Sequence, residues 1–191
     1  TPKPSSAASD VYKRQTQVPL LTTDQIVALS TLQASAITAT QIAALTTAQL
    51  SKMETADLAA LTTTATAALT GTQVSNLTTD EVRALTTAQI ASLKDTSIKD
   101  LTVGQLQGMT SDQVVSLTTL QVKSLSTTLV RSFTTDQISA LATDDVAALD
   151  YLKIQALTTA RISKLTTDQV KALANDVIQY IETEDLSLIH I

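Results

Sequence analysis

The sequence predicts an all-α solenoid of short helices, one to each eight-residue repeat. Three observations carry that expectation: an unbroken apolar period of eight, a recurrent Ser/Thr-to-Gln/Glu spacing, and a charge polarity that restarts in every octad. Stacked at this period, Leu21, Leu29, Ile37, Leu45, Met53 and onward to Ile181 form one column, and all 21 of its residues are apolar. Five residues later a second column runs from Ile26 through Ile42, Leu50 and Leu58 to Ile178, interrupted only by Ala34 and Thr66 among the residues before Asp185. Fixed-period self-similarity over most of a chain marks a repeat array whose units pack mainly on their neighbours.

Each position of the octad has a local reason. Position two is Ser or Thr in 15 of the 21 octads, and position five is Gln or Glu in 12. Ser/Thr-Xaa-Xaa-Gln/Glu is a capping box, in which the hydroxyl accepts from the third helical N–H and the Gln/Glu side chain returns to the cap. Between Thr16 and Asp185, 16 of 17 acids occupy positions two to five, and seven of ten bases occupy positions seven and eight. Acids at the start and bases at the end complement a helix dipole, here renewed every eight residues. The unit is therefore a helix of about six residues, with Leu, Ile/Val and Ala turned inward and two octads expected per coil.

Two other architectures compete. In one continuous helix a period of eight rotates the apolar stripe by about 80° per repeat, so that it faces no single partner. In a strand the two apolar columns, an odd number of residues apart, fall on opposite faces. A Thr-rich β-solenoid with bends inside each octad remains the alternative, because Thr favours strands.

The octad pattern covers 16–185 and fails outside it. Asp10–Gln15 back-translates to GAT GTG TAT AAG AGA CAG, whose reverse complement reads Leu-Ser-Leu-Ile-His-Ile, the sequence of Leu186–Ile191. This DNA resembles the transposon mosaic end used in preparing sequencing libraries. The expected organisation is thus an adapter-derived tail at 1–15, about 21 octads at 16–185 cut in mid-repeat, and a second adapter-derived tail at 186–191.

Composition narrows the chemistry. The array carries 17 acids against ten bases, a poor match to nucleic-acid phosphates. Cysteine is absent and the one histidine, His190, lies in the C-terminal tail. No apolar run approaches the ~18 residues of a membrane span. Gly104 and Gly108 have membrane-packing spacing without an apolar segment around them. Asn76-Leu77-Thr78 is a formal glycosylation acceptor that coincides with an octad junction. Asp144-Asp145 and Glu182–Asp185 gather carboxylates without a completing ligand set. Ala34 and Thr66 thin the core; Lys153 and Arg161 replace Gln at position five and read as solvated substitutions; Tyr151 and Tyr180 stand alone. No catalytic, cofactor-binding or metal-binding residue is expected.

Octads such as Leu165-Thr166-Thr167-Asp168-Gln169-Val170-Lys171-Ala172 resemble the Thr-Thr-Xaa-Gln-(Ile/Val)-Xaa-Ala-Leu arrays of very large bacterial proteins. That resemblance implies an extracellular or cell-surface setting. The expected function is a non-catalytic spacer or stalk, with an interaction scaffold for protein or glycan as the alternative.

Overall fold

The computed structural model describes residues 18–173 together with Ile178 and Ile181. The segments read as adapter-derived, 1–15 and 186–191, lie outside the described residues. Among the latter there are nineteen α-helices, from Thr23–Val27 to Thr167–Ala172, preceded by a 3-10 turn at Val18–Leu20, and no strand. The protein is an all-α solenoid, and the β-solenoid alternative falls.

Most helices begin as the spacing requires. Thr22 is extended (φ −71°, ψ 162°), its hydroxyl accepts from the Gln25 N–H at 3.3 Å, and Gln25 Oε1 accepts from the Thr22 N–H at 2.9 Å. Every one of the 12 octads with Gln or Glu at position five forms this reciprocal pair. Helices stop through the position-one residue. Its N–H makes a tight three-residue return to position six, as in Leu85 to Val82 at 3.2 Å, while its own backbone turns extended (φ −61°, ψ 138°). Such a return satisfies one of the carbonyls a helix end leaves open. An extended Leu followed by an extended Thr makes the corner without any positive φ. That is why so few glycines suffice.

The chain forms two compact units, Thr1–Leu93 and Lys94–Ile191. In both, each helix packs on the helix three places along. In the first, Thr31–Ser35 lies against Thr55–Ala60, and Thr63–Thr66 lies between Ala39–Ala44 and Thr87–Ser92. In the second, Thr143–Ala147 contacts both Thr119–Ser124 and Thr167–Ala172. A coil therefore takes more than the expected two octads. With only two large aliphatics per octad, three or four units must converge before those side chains are surrounded on all sides, as a buried residue requires.

The inward columns also differ in one respect from expectation. Positions one and six are buried, as in Leu69, Val74, Leu106 and Ile138. Position eight, usually Ala, is half-buried or exposed, and Ser132 is its single buried member among the described residues. The third buried column is position five, a polar one: Gln41, Gln49, Gln73, Gln89, Gln105, Gln113, Gln121, Gln137 and Gln169.

Candidate functional site

The most elaborated chemistry in the molecule is this column of buried glutamines. Gln73 shows the full arrangement. Its Oε1 accepts from the Thr70 N–H at 2.9 Å, closing the cap of its own helix. Its Nε2 donates to the carbonyls of Ile42 at 2.9 Å and Leu45 at 2.8 Å, 31 and 28 residues earlier. Gln89 repeats the pattern on Leu58 and Leu61, both at 2.8 Å. In the second unit Gln137 donates to Leu106 and Met109, and Gln169 to Ile138 and Leu141. One amide thus holds its own helix start and the preceding turn together. Each such amide therefore reaches the corner that precedes the helix three octads before its own, the helix on which its own helix packs.

This role demands an amide. A carboxylate accepts but cannot donate, whereas a primary amide does both. Glu81 closes its cap at 2.5 Å from the Thr78 N–H yet supplies no donor for a carbonyl when ionised. The demand was visible in the sequence. A capping box tolerates Glu and a helix dipole prefers it, but 11 of the 12 capping-box octads carry Gln.

Arg161 and Lys153, the two bases at position five, diverge. The Arg161 guanidinium donates from Nε to the Phe133 carbonyl, 28 residues earlier, and from Nη1 to the Thr158 hydroxyl at 3.0 Å. It therefore occupies the glutamine place in the column, and its reading as a solvated substitution is corrected. Lys153 instead folds back onto the Asp150 carboxylate at 2.7 Å, at the start of its own helix. This hydrogen bond holds the Asp150 carboxyl below its ordinary value.

Two acids interrupt the column. Asp57 is buried, and its Oδ2 has no hydrogen-bond partner. Burial pushes its carboxyl above the ordinary value, and the neighbouring Glu54 adds to the push. Asp145 is equally buried but accepts from the Thr119 hydroxyl at 2.8 Å. Burial raises it too; the Thr119 hydrogen bond opposes that rise and Asp144 reinforces it. Neither octad has a side-chain cap, since position two is Glu54 in one and Ala142 in the other.

The remaining singled-out residues do not converge. Thr66 is buried with its hydroxyl on the Thr62 carbonyl at 3.0 Å, and Ala34 is buried as a small core residue. Asn76 is exposed and donates to the Thr72 carbonyl at 2.8 Å, while Thr78 of the same triplet caps the next helix. Gly104 and Gly108 lie on one short helix, Val103–Gly108. Tyr151 is exposed. Tyr180, Glu182–Asp185 and His190 lie outside the described residues. No three His, Cys, Asp or Glu side chains gather as a metal site among the described residues. No described helix is long and apolar enough to cross a membrane.

Comparison with known proteins agrees with the repeat reading. The family model described as the ALTTAQ repeat matches residues 50–87. No curated protein and no solved structure matches the chain.

Proposed function

We propose that this chain is a non-catalytic spacer, a stalk that sets the distance between functional parts of a larger bacterial protein outside the cell. The observation behind this reading is the amide column. Chemically equivalent bonds recur from Gln49 onto Leu21 to Gln169 onto Leu141, so the most specific chemistry in the molecule is turned inward, onto its own backbone. What varies between octads lies chiefly at positions three, four and seven, on the surface. A spacer needs length and cohesion rather than any one exposed side chain. Small-angle scattering on chains of increasing octad number tests this: the maximum dimension should grow by a constant increment per octad. A dimension that saturates would reject the stalk.

An interaction scaffold is the second reading, supported by exposed Leu120, Tyr151 and Leu152 at positions three and four of the second unit. Isolated apolar side chains are ordinary on surfaces. Replacing all three by Asp should leave a stalk unaltered and abolish binding by a scaffold.

A further inference from the structure

Position five bonds to a corner 28 residues earlier where its side chain can donate, as Gln73 does on Leu45, Gln89 on Leu61 and Arg161 on Phe133. Asp57 holds the same position, and the corner that belongs to it is Leu29. No described donor reaches the Leu29 carbonyl. The register sets against that carbonyl a carboxyl only 2% exposed, whose Oδ2 has no partner. An acceptor thus meets an acceptor in a joint largely closed to water, which is unfavourable until one of them carries a hydrogen.

Asp145 shows how another octad resolves the same substitution. There Thr119, 26 residues earlier, donates to the carboxyl at 2.8 Å. Thr31 stands 26 residues before Asp57, yet Oδ2 is left without that hydroxyl. The helices concerned, Thr31–Ser35 and Thr55–Ala60, pack more extensively than any other described pair in the first unit. Close packing suits a side chain one methylene shorter than glutamine.

Charge around the joint runs mostly one way. Glu54 opens the same helix, Thr31–Ser35 carries no charged residue, and Asp24 lies on the helix that ends at the corner. The other neighbour, Thr79–Ala84, brings Asp80, Glu81 and Arg83. Four acids against one base favour a neutral carboxyl, and burial pushes Asp57 the same way.

We propose that a proton closes this joint: neutral Asp57 donates from its carboxyl O–H to the Leu29 carbonyl, clasping Thr55–Ala60 onto Thr31–Ser35, and ionisation releases the clasp. A neutral carboxyl has the donor that an amide has and a carboxylate lacks. Nothing but the proton is taken up, and no covalent bond to the corner forms. The array thereby carries one joint, at a fixed octad, that tightens in acid while its amide-tied neighbours hold at either pH.

Hydrogen exchange on the 191-residue chain tests this, with protection expressed against the intrinsic rate at each pH. Protection at Thr31–Ser35 and Thr55–Ala60 should rise on the order of tenfold between neutral pH and pH 4. The carbon-13 resonance of the Asp57 carboxyl should titrate over the same range, while Gly71–Ser75, tied by Gln73, stays level. Asp57→Asn has the shape of the neutral acid and keeps a donor, so it should show the acid level of protection at both pH values. Asp57→Leu also removes the charge but has no donor, and should fall short of Asn at both. Wild-type protection that does not change with pH overturns the proposal. So does Leu matching Asn, which would mean that relief from a buried charge, rather than a donated bond, tightens the joint.

Discussion

Arg161 donates from Nε to the carbonyl of Phe133, standing where Gln137 and Gln169 stand in their own octads. Two unlike side chains thus meet one requirement, an N–H aimed 28 residues back along the chain. The requirement is set by the backbone of the earlier turn. Any side chain that reaches it with a donor serves.

Arg161→Gln restores the residue usual at this position and should stay within about 0.5 kcal/mol of wild type. Arg161→Leu keeps much of the volume and leaves the Phe133 carbonyl without this donor, a loss of about 1–3 kcal/mol. Chemical denaturation of the two variants separates them. Equal stability would show the Phe133 bond to be immaterial.

The glutamine column can be probed at two depths. Gln137→Glu keeps the capping acceptor but replaces the amide's donated hydrogen bonds by a buried charge facing carbonyls, and should cost about 2–3 kcal/mol. The same change at exposed Gln25 should cost no more than about 0.5 kcal/mol. Urea midpoints at low protein concentration give the comparison, and similar costs at both sites would remove the turn-to-turn role of Nε2.

Thr118 tests the caps. Its hydroxyl accepts from the Gln121 N–H at 3.3 Å. Thr118→Ala should cost about 1 kcal/mol, with Thr118→Val no better, since Val keeps the shape and loses the oxygen. Thr118→Ser should stay near wild type. A Val variant as stable as the parent would detach the helix starts from hydroxyl capping.

Acid should strengthen the fold through Asp57 and Asp145. Both carboxyls lie above their ordinary value when folded, so the unfolded chain releases these protons first as pH rises. Their contribution is complete below the ordinary carboxylate value, near 3.8, and is lost as pH climbs through the raised folded values. Asp150 works the other way, adding stability above the ordinary value that is lost as pH falls through its lowered one. Its side chain is half exposed, so water screens much of that effect. Asp57→Asn with Asp145→Asn should flatten the acid-side gain in denaturation measured between neutral pH and pH 4. An unchanged pH profile would show that neither acid titrates with folding.

The helix starts were legible in the sequence because a cap is local: Thr78 and Glu81 meet whatever else the chain does. The apolar columns were legible for a similar reason, since a strict period implies a shared environment. The pitch of the coil was hidden, because no residue within an octad records how far back its neighbour lies. Position five was read only for its acceptor, and so Gln137 was assigned half of its work. The inward place given to the Ala of position eight belonged to that same glutamine. Arg161 looked like a surface substitution since its partner, Phe133, lies 28 residues away and offers only a backbone oxygen, which sequence does not display.

Courses of three octads stack helix upon helix, and each inward glutamine ties its own unit to a corner of the course below, as a cramp ties masonry. Because every course bonds through the same amide-to-carbonyl reach, excising or inserting one whole octad re-mates each glutamine with an equivalent oxygen. Removing three or five residues would strand each glutamine whose reach of 28 to 31 residues spans the cut. Slippage during copying of a repetitive gene moves in whole repeats, so the coding sequence can lengthen or shorten this structure by increments that the fold already accepts.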